Sequence, residues 1–97
     1  MPLTEQQKKT LRGLGHTLKP VILVGAGGLS PSLLEEFERS LDHHELMKVK
    51  VSVGDRAERD AVIETLCEHG GAELVQRVGN VGLLFRRRRD KSKFTAL

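Results

Sequence analysis

Apolar positions along this chain follow a helical period in three stretches and a strand period in four. Thr4, with Gln7 three residues later, matches a capping box. The polar run behind it carries Leu11 and Leu14 at helical spacing before Gly13 and Gly15 weaken it, which predicts a short first helix. Lys19-Pro20 introduces Val21-Ile22-Leu23-Val24, a β-branched run too short for a helix; it predicts a strand buried on both faces at the centre of the sheet. After Gly25-Ala26-Gly27-Gly28, Ser30 reads as an N-cap, Pro31 as the first helical residue and Leu29 as a staple against Leu34, with Leu33, Leu34, Phe37 and Leu41 on one face.

From Leu46 the period becomes two. Met47, Val49, Val51 and Val53 point one way and Leu46, Lys48, Lys50 and Ser52 the other, so a strand with a wet, basic face is expected. Asp55 and Glu58 repeat the capping-box pattern ahead of Val62, Ile63, Leu66 and Cys67, the buried stripe of a third helix ending at Gly70-Gly71. Two alternating strands follow, joined at Gly79-Asn80 by a two-residue hairpin turn. The predicted fold is therefore a single compact α/β domain, α-β-α-β-α-β-β, with a four-stranded mixed sheet whose last pair is antiparallel.

At 97 residues the chain has room for one core, and a deep substrate cavity would compete with that core for apolar side chains. A surface-binding module is the better expectation. No run of 18 or more apolar residues occurs, and residues 1–5 lack an export pattern, so neither a membrane nor export is implied. The single cysteine, Cys67, cannot close an intrachain disulfide. This fits a reducing compartment, and the cytoplasm is expected.

Charge is distributed unevenly. Residues 1–85 carry ten basic and twelve acidic side chains, whereas Arg86 to Lys93 hold six basic residues against Asp90, so the basic excess lies at the C-terminal end. Residues 1–28 set Lys8, Lys9, Arg12 and Lys19 against Glu5 alone, while 29–47 set five acids against Arg39. A basic side and an acidic side are expected. A basic end suits nucleic acid, and it also suits a solvated tail.

The glycine cluster is the sharpest motif. A Gly-x-x-Gly loop between a strand and a helix start lets a phosphate backbone approach, because no Cβ blocks it and first-turn amides face the anion. A dinucleotide fingerprint would need glycine where Ser30 stands, and no Gly-Lys-Ser or Gly-Lys-Thr follows. A flexible βα turn with spare glycines is the plain alternative. His43-His44-Glu45 lacks the second histidine of a zinc-protease helix, since position 48 is Lys48. Cys67-x-His69 offers at most two ligands. Neither a metal nor a cofactor is expected, and no nucleophile and base can be paired by spacing. With Phe37, Phe85 and Phe94 the only aromatics, bases cannot stack on a ring-lined sheet, so contact with RNA would rest on phosphates.

Four blocks in order resemble the CRM domain, named for chloroplast RNA splicing and ribosome maturation, in its stand-alone bacterial YhbY-like form. They are Leu11 to Pro20, the Gly25 to Gly28 loop with Leu29, Leu41 to Val51, and Val78-Gly79 through Leu84-Phe85-Arg86. The resemblance covers residues 4–87. It implies a fold similar to the C-terminal domain of translation initiation factor three, RNA binding through the Gly-x-x-Gly loop, and association with large ribosomal subunit precursors. The loop interior here is Ala26-Gly27, where relatives often carry a polar side chain, so its contacts would come from amides.

The expected organisation is thus an RNA-binding domain over 1–87 and a flexible basic tail over 88–97. A monomeric, non-catalytic protein is expected, with no small-molecule substrate. Gly25, Ala26, Gly27 and Gly28 would accept phosphate, flanked by Lys8, Lys9, Arg12 and Lys19; Lys48 and Lys50 would extend the surface, and Arg86, Arg87, Arg88 and Arg89 would anchor a neighbouring strand. The alternative is a protein-interaction module in which the acidic helix around Glu35, Glu36, Glu38 and Asp42 docks on a basic ribosomal protein.

Overall fold

A computed structural model describes residues 2–97. Helix α1 (Glu5–Gly15) is followed by β1 (Pro20–Val24), α2 (Pro31–His44), β2 (Leu46–Val51), α3 (Arg56–Gly70), β3 (Glu73–Val78) and β4 (Val81–Phe85). The helix starts are set by their caps. The Thr4 hydroxyl accepts from the Gln7 N–H while the Gln7 side chain accepts from the Thr4 N–H, and Asp55 and Glu58 do the same for α3. Gly71, at φ +63°, ends α3 in the left-handed conformation that favours glycine.

The sheet order is β1-β2-β4-β3, with β1 parallel to β2 and β4 antiparallel to both its neighbours. This corrects the expectation for the Val21 to Val24 run. The chain returns through the Gly79-Asn80 turn and β4 inserts between β2 and β3, so β2 and β4 occupy the centre and β1 is an edge strand. Only Ile22 and Val24 of that run are buried, while Val21 and Leu23 are 41% and 60% exposed. A β-branched run looks the same whether one face or two are covered.

The main core fills the space between one sheet face and helices α2 and α3, with Ile22, Val24, Phe37, Leu41, Met47, Val49, Val51, Ile63, Leu66 and Leu84. A smaller cluster of Leu11, Leu46, Val75, Leu83 and Phe85 lies on the opposite face beneath α1. Leu46, expected on a wet face, is therefore buried. α1 leaves the rest of that face open, Lys50, Leu23 and Val78 included.

Gly70 marks a close approach. A Cβ on Gly70 would lie 2.7 Å from Leu41 Cδ1 and 2.8 Å from Phe37 Cε2, inside the α2–α3 contact. Gly70→Ala should lower stability by about 1–3 kcal/mol, read from the urea midpoint, because the two core side chains must leave their rotamers. An unchanged midpoint would mean that this contact is slack.

Residues 88–97, expected as a flexible tail, lie along the body, and a buried carboxylate holds them there. Glu45 caps α2 at φ +64° and is completely buried, although the sequence places it among the acids of a solvated side. Its carboxylate accepts from the Lys93 N–H (2.8 Å), the Arg88 N–H (2.9 Å), the Arg88 guanidinium (3.3 Å) and the Ser92 hydroxyl. Burial alone would raise its pKa, but these donors, Lys93 and Ser92 foremost, hold it at about 2. Phe94 then meets Phe85 edge to face at 5.2 Å, and Leu97 packs on the smaller cluster.

Candidate nucleic-acid interface

The loop between β1 and α2 is a tight turn closed by the Gly28 N–H on the Gly25 carbonyl at 3.0 Å. Of its glycines only Gly28, at φ +65°, is demanded by the backbone. A Cβ on Gly25, Gly27 or Gly28 would meet nothing within 4 Å, so packing does not explain the cluster. What the glycines provide is an open approach. Among the described residues, the amides of Ala26 and Gly27 at the tip have no hydrogen-bond partner. Ser30 caps the helix behind them, its hydroxyl accepting from the Leu33 N–H at 3.2 Å. The loop can therefore take an anion through backbone donors at the positive end of α2.

Because β1 and β2 run parallel, both strand-to-helix connections emerge at the same end of the sheet. The Ser52 N–H donates to the Val24 carbonyl at 3.0 Å, and the Val51 N–H to the Asn80 carbonyl at 2.8 Å. Those bonds gather the glycine loop, the Ser52 to Asp55 connection and the hairpin turn at one pole. Two arginines stand at the start of α3 beside them: Arg56 is exposed, and the Arg59 guanidinium donates to the Gly54 carbonyl at 2.8 Å. Sequence reasoning missed both. The signal was present in the Asp55 cap, which marks a second helix start that a parallel strand pair must bring beside the first.

The expected cations do not all converge on the loop. Lys50 does: it pairs with Leu23, two residues before Gly25, on the open face. Lys48 pairs with Pro20 at the other end of β1, its ammonium 3.5 Å from the His16 carbonyl. Lys19 precedes that strand, so about 20 Å of extended chain separates it from the loop. Lys8, Lys9 and Arg12 ride on α1, whose Leu11 packs with Leu46, Val75, Leu83 and Phe85. The expectation that these three and Lys19 flank the glycines is therefore corrected: the length of β1 separates Lys19 from the loop, and α1 packs on the smaller cluster away from it.

Arg86 to Arg89 follow Phe85, which pairs with Leu46 at the start of β2, so they occupy the pole opposite the loop. Two of the four are already engaged. Arg86 binds Glu38 and the Gly70 carbonyl (2.9 Å), and Arg88 is tied to Glu45; Arg87 and Arg89 are exposed.

Burial, then Glu64 and Glu68, pushes the Cys67 thiol up to about 11, so it is protonated at neutral pH. Partial burial, then His43 and Lys93, lowers the pKa of His44 below its ordinary value. Among the described residues no group of three or more potential metal ligands is assembled, and no helix is long and apolar enough to cross a membrane.

A family model described as the CRS1 / YhbY (CRM) domain matches residues 3–86. A Pseudomonas aeruginosa protein named as a probable RNA-binding protein is 41% identical over 93 residues, covering 96% of this chain and 89% of its own length. The Haemophilus influenzae RNA-binding protein is 40% identical over 84 residues, covering 87% and 85%. The solution structure of the Staphylococcus aureus protein SAV1595 superposes with a TM-score of 0.79 at 31% identity, covering 94% of this chain and 95% of that one.

Proposed function

The chain belongs to the CRS1 / YhbY (CRM) domain family, and from that premise we propose that it is a non-catalytic RNA-binding protein of the cytoplasm that grips ribosomal RNA in large-subunit precursors. The observation that carries this reading is the glycine loop: open on three of its glycines, with unpartnered amides at its tip and a helix start behind it. A phosphate seated there is held by N–H donors and the α2 dipole. Lys50 is the nearest of the expected cations, and Arg56 and Arg59 add charge at the same pole. The strand then runs along the open face past Lys48 toward Lys19. Lys8, Lys9 and Arg12 belong to the separate α1 surface, and Arg87 and Arg89 are free to meet a neighbouring RNA strand at the far pole.

This arrangement supports recognition of backbone rather than base edges, because the loop offers no side chain larger than that of Ala26. Affinity should then be strongly salt-dependent. With about five phosphates neutralised on single-stranded RNA, the log–log slope of affinity against salt is expected near −3.5. Arg87→Gln with Arg89→Gln, chosen because neither touches Glu45, should flatten the slope by about 1.4 if the far pole contributes. A slope near zero in the unmodified protein would refute the phosphate-binding reading.

A further inference from the structure

The face of the sheet that α1 leaves uncovered carries a row of side chains whose composition is unexpected on a water-exposed surface. Leu23 pairs with Lys50, Lys50 with Val81, and Val81 with Val78, so these four residues form one line across all four strands and project to the same side. Leu23 and Val78 are 60% and 65% exposed. Beside the row lies a shallow depression of about 450 Å³ floored by Leu83 and lined by Leu18, Pro20, Lys48 and Gln76, with no carboxylate on its walls. Leu23 is two residues from the glycine loop, so this surface is continuous with the candidate phosphate seat.

We infer that this face binds an unpaired segment of RNA, the aliphatic row taking the faces of its bases while Lys48, Lys50 and the glycine loop take its phosphates. The inference rests on the RNA-binding reading and names the form of RNA that the site accepts. In a duplex the base faces are stacked against one another, and only edges, sugars and phosphates are presented outward. A duplex laid here would desolvate Leu23 and Val78 against charged oxygens and gain nothing from them. An unpaired strand presents both surfaces the site needs, apolar faces and anions alternating along one chain.

The position of Lys50 decides between RNA and a protein partner. It stands inside the apolar row, between Leu23 and Val81, rather than at its rim. A helix laying a continuous apolar stripe on the row would bury that ammonium without a partner. An RNA strand has a phosphate for it at every nucleotide, and its bases cover the neighbours on either side. Aliphatic side chains hold a base by apolar contact without reading its edges, so sequence preference should be weak.

The test compares an unstructured oligouridylate with an RNA duplex of equal phosphate count, by fluorescence anisotropy on the full chain. The variant is Leu23→Ser with Val78→Ser, two exposed positions whose change leaves the core intact. The unmodified protein should bind the unstructured strand more tightly. The double variant should lose about 10-fold in affinity for it, keep its duplex affinity, and keep its salt slope, since the slope counts phosphates.

Equal affinities of the double variant and the unmodified protein for the unstructured strand would overturn the inference and leave the row to a protein partner. Equal losses on both RNAs would overturn it too, by showing a general effect. If the unmodified protein binds neither RNA, the RNA-binding reading itself fails, an outcome distinct from the other two.

Discussion

Replacing Glu45 by alanine is expected to lower the free energy of unfolding by about 3 kcal/mol, the largest effect of any single polar substitution proposed for this domain. The carboxylate is fully buried and accepts from four donors of the Arg88 to Lys93 segment. Without it those donors lose their acceptor, although the Arg88 side chain is partly exposed and can turn to water, which keeps the loss at the lower end for a broken buried pair. The C-terminal segment should detach, freeing Phe94 and Leu97 from the smaller cluster. Denaturation in urea gives the stability change, and hydrogen exchange at residues 88–97 gives the detachment. A variant as stable as the unmodified protein would show that the clasp contributes nothing net. Glu45→Gly separates two causes: it also removes the carboxylate but relieves the positive φ, so it should be more stable than the alanine variant by about 1 kcal/mol.

The same carboxylate makes stability depend on pH in a defined window. Its pKa is about 2 in the folded chain against an ordinary value of 4.5, so the unfolded chain takes up the proton first as pH falls. The contribution, about 3 kcal/mol from the difference in pKa, is complete above pH 4.5 and lost as pH drops toward 2. Thermal scans between those limits should show the loss in the unmodified protein and a shallower dependence in Glu45→Ala. Parallel pH profiles would assign the acid sensitivity to other carboxylates.

The second large effect is expected at the loop. Gly27→Asp should weaken RNA binding at least about 10-fold at moderate salt while leaving the melting temperature nearly unchanged. A Cβ at that position meets open space and the backbone needs no left-handed conformation there, so the variant folds, and its carboxylate occupies the seat proposed for phosphate. Gly28→Asp is a poorer probe, because φ +65° strains any side chain and mixes a folding cost with the binding effect. Full affinity in folded Gly27→Asp would remove the loop from the mechanism.

Much of this could be read along the chain, and the successes share a cause. Each helix start is written within four residues: Thr4 with Gln7, Ser30 with Pro31, and Asp55 with Glu58. The hairpin at Gly79-Asn80 is equally local. The glycine loop was legible because the missing side chains are themselves the signal. The failures involve partners far apart in sequence. Edge or centre for β1 depended on where β4, some sixty residues later, would insert. The burial of Glu45 depended on a segment more than forty residues away, and its charge by itself argued for solvent.

Local patterns carried the order of the seven elements, the one-domain size, the family and the glycine loop between β1 and α2, since caps, periods and glycine spacing act over one or two turns of chain. Long-range packing fixed which cations stand near that loop, that Arg56 and Arg59 share its pole, that the basic C-terminal segment is clasped at the opposite one, and that an aliphatic row lies open beside the glycines. Those are distances between residues remote in sequence, and they follow from sheet order and strand direction, which no local pattern encodes.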